Sequence, residues 1–198
     1  MKEYTICRTG QPVCWDTVPS LSIDTLLWSP EVPIRAWAQL CHDDEALYVR
    51  LTAVEPHIRA EELPPLGVPC LDSCQEFFFC PIPGDRRYIN IEYNPNCCLC
   101  MGVGGGPCGG VHISPKPELL SPSAQRTADG WFVTYKVPYA LIRTFFPEFS
   151  GAPGTQIRAN CYKCGNLTVQ RHFLSWNPIN LPKPSFHCPE HFGTMYFE

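Results

Sequence analysis

The sequence predicts an all-β protein, an antiparallel, jelly-roll-like β-sandwich with one short helix. Apolar and polar residues alternate with period two in several segments, as expected of half-buried strands. The segments recur every ~8 to 20 residues, a spacing typical of sandwiches. Turn signals are frequent, since the 198 residues include 22 prolines and 14 glycines. We therefore expect one domain over residues 1–198.

Two β-hairpins are predicted in the first half of the chain. Residues 33–40 and 46–53 alternate, and the acidic turn at 43–45 joins them. Residues 75–80 and 87–94 form a second pair of predicted strands, connected by a turn rich in proline and glycine. Each pair therefore reads as two adjacent antiparallel strands.

The second half of the chain predicts three further strands and the helix. The strands cover residues 131–137, 156–163 and 168–175. Residues 138–146 have a helical pattern, with Pro138 at the start and Pro147 after the end. This is the one segment for which the pattern favours a helix.

A glycine-rich segment at residues 102–110 resembles a phosphate-binding loop only superficially. No Lys-Ser or Lys-Thr pair follows it, and no helical pattern begins behind it. The segment is therefore predicted to be a flexible loop.

Charge and hydropathy exclude two classes of partner. Lys and Arg total 15 against 19 Asp and Glu, a net charge of −4, which argues against binding nucleic acid. There is no apolar run of ~18 residues and no basic, apolar leader at the N-terminus, so we expect no membrane span and a cytoplasmic location. The sequence leaves the oligomeric state open.

Thirteen cysteines make the chain unusually rich in thiols. Their odd number and the missing export signal favour buried, reduced thiols over disulfides. A zinc-thiolate site is one alternative function, built on Cys161, Cys164 and the group at 97–100. In a regular strand, however, Cys161 and Cys164 point to opposite faces, so a shared metal would need a bulge.

A pair of acidic residues suggests a second alternative. Glu76 and Glu92 lie on neighbouring predicted strands, and two carboxyl groups flanking a sugar are what glycoside hydrolysis requires. Asn90, Glu92 and Asn94 form a polar stripe that alternates with apolar residues. That stripe either binds a polar ligand or faces solvent, and spacing alone favours solvent.

Aromatic residues are numerous enough for both a core and a binding platform, with 5 Trp, 8 Tyr and 11 Phe. Sugar rings stack their C–H faces on aromatic rings while polar groups bind their hydroxyls. Trp131 and Phe77 are expected in the core, and Trp37 on the outward face of its strand. Phe186 lies in a loop bounded by prolines, where a large ring has little reason to serve the core.

Five motifs in order resemble the family 9 carbohydrate-binding modules, in particular single-domain bacterial proteins of that kind. Together they cover residues from about 20 to 197 and end in a Trp-then-Phe-Gly pattern. The motifs are Asp44 to Val49, Asp72 to Phe78, Tyr88 to Asn94, Gly130-Trp131 ahead of Val137-Pro138, and Ser175 to Pro178 ahead of Phe186 to Gly193.

The resemblance implies a β-sandwich that binds carbohydrate without catalysis and accompanies glycoside hydrolases in polysaccharide breakdown. Such modules hold the ends of glycan chains between two aromatic rings. One ring position corresponds to Phe186, where the family usually has Trp. The other falls at residues 68–71, which contain no aromatic residue, so Trp37, Phe78 or another ring would have to replace it.

The resemblance and the strand pattern together predict a ligand site. The family's acidic residue corresponds to Glu76 and the polar position of the next strand to Asn90, while Trp176 matches a Trp near the family's site. Family modules also hold structural calcium, whose ligands do not map onto particular residues here. No catalytic residue, metal ligand or other cofactor is predicted. The predicted ligand-binding residues are Phe186, Glu76, Asn90, Glu92, Trp176 and His187.

Overall fold

The structure is a computed structural model that describes residues 1–65, 67–105 and 110–198. Its helices are short, α1 (Pro117–Leu120) and α2 (Tyr139–Phe145), so no helix of the described chain is long and apolar enough to cross a membrane. The strands are β1 (Glu3–Arg8), β2 (Ser20–Ser22), β3 (Thr25–Leu26), β4 (Arg35–His42), β5 (Ala46–Val54), β6 (Cys74–Cys80), β7 (Tyr88–Tyr93), β8 (Leu99–Gly104), β9 (Gly110–Ile113), β10 (Ser123–Arg126), β11 (Gly130–Pro138), β12 (Gln156–Gly165), β13 (His172–Ser175) and β14 (Gly193–Phe197).

The strands form a large curled sheet whose two halves share one core. One half runs β10-β11-β5-β4, with β2 beside β4, and the other runs β14-β12-β6-β7-β8-β9, with β13 and β3 added at β12. β1 joins the halves, since its first residues pair with β14 and its last with β4, in parallel both times. All other described pairings are antiparallel, so the predicted sandwich is confirmed and β1 makes it a mixed sheet.

Both predicted hairpins are confirmed. β4 and β5 pair from Arg35 opposite Val54 to His42 opposite Leu47, and β6 pairs with β7 from Gln75 opposite Tyr93. The strands at 131–137 and 156–163 and the helix at 138–146 are confirmed as β11, β12 and α2. β4, β5, β7 and β11 have a regular alternation of apolar and polar residues, and α2 is bounded by prolines, so their sequences carry a local signal.

Two predicted segments need correction. Residues 102–104 belong to β8 and Gly110 begins β9, which pairs with it, so the loop prediction is wrong there, while residues 106–109 lie outside the described chain. Gly102 faces Asn90, and a Cβ on it would lie 2.5 Å from Asn90 Oδ1. The strand therefore uses glycine because its neighbour leaves no room for a side chain. Of the strand predicted at 168–175, only His172–Ser175 is extended and paired.

The half of the sheet around β6 is covered on both faces. Phe77 and Trp131 are fully buried in the main core between the halves, as predicted. Alternate residues of β6, β7 and β12 instead enter a second cluster on the outer face, which we call the outer cluster. Its buried members are Leu27, Cys74, Phe78, Cys80, Tyr88, Tyr162, Cys164, Phe173, Ile179, Phe186, Cys188 and Phe192.

A buried ion pair ties the two halves together. Glu55 follows β5, and Lys163 on β12 places its Nζ 3.2 Å from Glu55 Oε1. The same carboxylate accepts hydrogen bonds from Trp131 Nε1 at 2.6 Å and Ser73 Oγ at 2.9 Å. Lys163 Nζ also lies 2.9 Å from Nε2 of His172. Since these groups come from both halves, their loss should loosen the sandwich itself.

The cysteines are largely buried, as predicted. The 12 cysteines in the described chain are all free thiols. Cys161 lies in the main core and Cys164 in the outer cluster, so the expectation that they point to opposite faces is confirmed. The buried thiols are Cys41, Cys74, Cys80, Cys98, Cys161, Cys164 and Cys188.

Candidate functional site

A cavity of about 250 Å³ opens on the outer face of the sheet, above β6, β7 and β12. Its floor holds two carboxyl groups, and its walls hold aromatic rings from separate parts of the chain. The lining residues are Trp28, Cys70, Glu76, Glu92, Cys164, Asn166, Arg171, Phe173, Pro184, Ser185, Phe186 and His187.

Strand register places the two carboxyl groups side by side. Glu76 on β6 is directly opposite Glu92 on β7, so both side chains leave the same face of the sheet. They are 2% and 6% exposed, and Asn90 and Asn94 are buried with them. The expectation of a solvated polar stripe is therefore wrong. The loop around Phe186 packs over this face, and alternation within a strand cannot reveal such a cover.

Burial perturbs both carboxyl groups. Removal from water raises the pKa of Glu76 well above its usual value and raises the pKa of Glu92 to about 7. Asn90 Nδ2 donates a hydrogen bond to Glu92 Oε1 at 3.0 Å, which opposes part of that rise. Among the described residues, no Lys or Arg forms an ion pair with either carboxyl group. Glu92, with a pKa of about 7, can therefore both donate and accept hydrogen bonds at neutral pH.

Phe186 is a packed residue as well as a wall of the cavity. Its ring is only 9% exposed and stacks on Tyr162, with centroids 4.1 Å apart and an interplanar angle of 5°. The expectation that this ring has little reason to serve the core is therefore wrong. Since Tyr162 covers one face of the ring, at most the other face is available to a ligand.

Trp28 is a second ring at the cavity, and the sequence did not indicate it. Its centroid lies 6.0 Å from that of Phe186 and 6.0 Å from that of Phe173. Its Nε1 donates to the carbonyl of Leu181 at 2.6 Å, which fixes the ring in place. Trp28 follows β3, a strand of two residues whose pairing with β13 brings it here. No local pattern could predict that placement.

The remaining predicted residues have different surroundings. His187 lines the cavity with Nδ1 2.7 Å from the Tyr88 hydroxyl, and burial lowers its pKa. Asn90 donates a hydrogen bond to Glu92 and does not itself line the cavity. Trp176 packs in the main core, where a Cβ on Gly193 would collide with its ring, and it does not line the cavity.

The segment expected to carry the other ring reaches the cavity through Cys70 alone. Cys70 lies in a short 3₁₀ turn, and its carbonyl accepts hydrogen bonds from the backbone N–H and the Nδ2 of Asn166, at 3.2 and 2.7 Å. At the mouth, the Arg171 guanidinium lies 5.0 Å from the Phe173 ring centroid. The cavity thus has a thiol where the family pattern has a ring, with Trp28 nearby.

One group of side chains in the described chain has the closeness of metal ligands. It consists of Cys74, Glu76 and Cys164, whose ligand atoms all lie within 4.8 Å of one another. Burial raises the pKa of the Cys74 thiol, whose hydrogen bond to Cys164 lowers the pKa of the latter. Calcium prefers several oxygen ligands, so this group, with two thiols and one carboxyl group, does not fit it.

A larger cavity of about 600 Å³ lies elsewhere, between the segment at 20–26 and Trp37. Its charged side chains, Asp24, Glu31 and Arg35, are all exposed. A ligand there would find no polar group already removed from water. We therefore assign the candidate site to the smaller cavity, where the carboxyl groups are buried and the rings are held by packing.

The fold and the cavity define a β-sandwich domain with a candidate ligand site on the outer face of one sheet. The chain belongs to carbohydrate-binding family 9, whose family model matches residues 11–197. The resemblance read from the sequence is confirmed, and with it carbohydrate binding as the function of the family. No curated protein has a significantly similar sequence.

Three solved structures have the same fold. A protein from Bacteroides uniformis, provisionally assigned to carbohydrate binding, is 25% identical with a TM-score of 0.85, covering 100% of this chain and 99% of that one. A family 9 module from Caldicellulosiruptor kristjanssonii, solved with glucose, is 15% identical with a TM-score of 0.70, covering 100% of this chain and 96% of that one. The module from the same organism with cellotriose is 15% identical with a TM-score of 0.69 and coverages of 100% and 94%.

Proposed function

We propose that the protein binds a sugar ring in the 250 Å³ cavity on its outer sheet face and releases it unchanged. The observation that carries this proposal is the buried pair Glu76 and Glu92 beneath aromatic walls. Polar groups that fix a ligand inside a mostly apolar, preformed cavity are the usual composition of a small-molecule site.

The aromatic rings and the carboxyl groups have separate tasks. Trp28 and the open face of Phe186 contact the apolar face of the sugar. Glu76, Glu92 and His187 exchange hydrogen bonds with its hydroxyls, and Asn90 holds Glu92 in position. A hydrogen bond to a charged group contributes on the order of 1.5 to 3 kcal/mol, so losing one should be measurable.

The size of the cavity favours the end of a glycan over its middle. Sites for drug-sized ligands usually enclose about 300 to 1,000 Å³. A volume of about 250 Å³ therefore suits one ring, with any further rings outside the mouth. Glucose and cellotriose, the ligands in the two structures from Caldicellulosiruptor kristjanssonii, are suitable probes for this reason.

The geometry favours binding over hydrolysis. Glycosidases place their two carboxyl groups on either side of the scissile bond. Glu76 and Glu92 are cross-strand neighbours that leave one face of one sheet, so they present a single wall to the ligand. Hydrolysis by this pair remains the alternative function that the experiment must address.

Isothermal titration with glucose and cellotriose tests the proposal, with a chelator present and at pH 8, where Glu92, with a pKa of about 7, is ionised. We expect Glu92→Gln to lower the affinity by about 10-fold or more, because a charged acceptor is lost. The control is Glu190→Gln, the same change at an exposed residue outside the cavity, which should bind like wild type.

A second pair of variants locates the ligand. Trp28→Ala should weaken binding, whereas Trp37→Ala should not, since Trp37 lines the larger cavity. The reverse result would move the ligand to that cavity. Absence of binding to both sugars by folded wild type would refute the assignment to these sugars. Release of glucose and cellobiose from cellotriose would establish hydrolysis instead.

A further inference from the structure

We propose that Cys74, Glu76 and Cys164 bind a thiophilic divalent cation, Zn²⁺, at the floor of the cavity. This inference goes beyond sugar binding and does not rest on it. The three residues differ from the zinc ligands expected from sequence spacing. Cys161 lies on the other face, and Cys100, cross-strand from Glu92, shares this face without belonging to the cluster.

The sheet itself holds the three ligands together. Cys74 on β6 and Cys164 on β12 are directly opposite each other in an antiparallel pair. Glu76 is two residues after Cys74 on the same strand, so its side chain leaves the same face. All three come from the interior of a hydrogen-bonded sheet, where backbone positions are fixed before any metal arrives.

The distances suit a tetrahedral zinc site. Zn–S bonds of about 2.3 Å and Zn–O bonds of about 2.0 to 2.2 Å place two sulfur ligands about 3.8 Å apart. Cys164 Sγ lies 3.1 Å from Glu76 Oε1, and no pair of the three ligand atoms exceeds 4.8 Å. Side-chain rotations that move an atom by about 1 Å would complete the coordination.

The surroundings supply acidic groups that no Lys or Arg of the described chain pairs with. Glu92 lies beside Glu76, and neither forms an ion pair with a Lys or Arg of the described chain. Lys163 Nζ donates a hydrogen bond to the backbone carbonyl of Cys164 at 2.9 Å and also contacts Glu55 and His172. Burying these two thiols and two carboxyl groups in their anionic forms would be costly, and a metal ion offsets that cost.

The cavity gives the metal a path and an open position. Glu76 and Cys164 both line it, so an ion can reach them from solvent. As two Zn–S bonds and one Zn–O bond form, the two thiol protons, together with the proton of Glu76 where that carboxyl group is protonated, leave to solvent. Thiolate sulfur favours Zn²⁺ over Ca²⁺ or Mg²⁺, which prefer oxygen ligands. The fourth position faces Glu92 or a ligand in the cavity.

Cobalt(II) reports on this site directly, because thiolate ligation gives it a charge-transfer absorption. Reduced, tag-free protein is stripped with chelator, desalted and titrated with Co²⁺ and then Zn²⁺, in the absence of sugar. We expect one equivalent of Co²⁺ with thiolate charge transfer, which Zn²⁺ abolishes. Glu76→Gln should keep the absorption and lower the affinity by at least about tenfold, since even loss of an outer-shell group costs about 10 to 100-fold.

The matched control is a thiol on the same strand. Cys74→Ala and Cys164→Ala should lose the absorption, whereas Cys161→Ala, equally buried but on the other face, should retain it. Circular dichroism establishes that each variant is folded, and Cys74→Ser and Cys164→Ser replace any alanine variant that is not. The proposal is overturned if folded wild type shows no cobalt–thiolate absorption, or if the Cys74 and Cys164 variants retain it.

Discussion

Lys163→Met is expected to destabilise the protein strongly, because it leaves the buried carboxylate of Glu55 without its cation. Both side chains are almost fully buried, at 0% and 1% exposure, and the ionic atoms are 3.2 Å apart. Removing one member of such a pair typically costs about 3 to 5 kcal/mol. For a domain of this size each kcal/mol lowers Tm by about 2 to 4 °C, so a fall of about 6 to 20 °C is expected.

The assay is urea unfolding at pH 7 followed by tryptophan fluorescence, with thermal unfolding by circular dichroism alongside. Lys2→Met is the matched control, because Lys2 pairs with Asp24 at 2.9 Å but the two side chains are 38% and 63% exposed. Exposed pairs contribute about 0 to 1 kcal/mol. Adding Glu55→Gln to Lys163→Met should recover part of the lost stability, since it removes the buried carboxylate charge that has no cation beside it. The reasoning is refuted if Lys163→Met costs no more than Lys2→Met.

Two further predictions concern pH and packing. Burial lowers the pKa of His172 from 6.5 to about 4, so as the pH falls the unfolded chain takes up a proton at this residue before the folded chain does. The free energy of unfolding should therefore fall by on the order of 3 kcal/mol between pH 6.5 and pH 4. His172→Gln should flatten this dependence when unfolding is measured with chelator present. An unchanged pH profile in that variant would contradict the assignment. Gly102→Ala places a methyl group 2.5 Å from Asn90 Oδ1, so it should cost about 1 to 3 kcal/mol and weaken glucose binding through Glu92. Gly105→Ala, whose Cβ would have 3.6 Å to its nearest neighbour, should match wild type in both measurements, and equal behaviour of the two variants would count against the clash.

The parts of the fold that sequence could predict are those with local alternation. The β4–β5 hairpin has a period-two pattern and a short acidic turn, and the β6–β7 hairpin has an apolar strand and an alternating strand on either side of a segment rich in proline and glycine. Both hairpins lie where expected. β1 and β14 pair in parallel across nearly the whole length of the chain, which leaves no local signal. β8 was missed because its glycines are typical of a loop, although one of them, Gly102, is required by the side chain of Asn90.

The residues of the candidate site also divide into those that local sequence patterns could predict and those that they could not. Glu76 and Glu92 could be predicted because they belong to regular strands and to the family pattern, and Phe186 and His187 because they belong to its final motif. Trp28 could not, since a two-residue strand brings it to the cavity. The partnership of Cys74 with Cys164 depends on the register between β6 and β12, which no spacing within either strand reveals.

Alternate residues of β6, β7 and β12 face the main core and the outer face of the sheet, so the residues of the two faces can be substituted separately. On β6, Phe77 and Phe79 fill the main core, while Glu76 lines the cavity and Cys74 lies in the outer cluster close to it. Substitutions at every second residue can therefore replace one ligand chemistry by another while the interior stays as it is. Recognition at the cavity can therefore change without the architecture having to follow, since the side chains that fill the main core are not the ones that line the cavity.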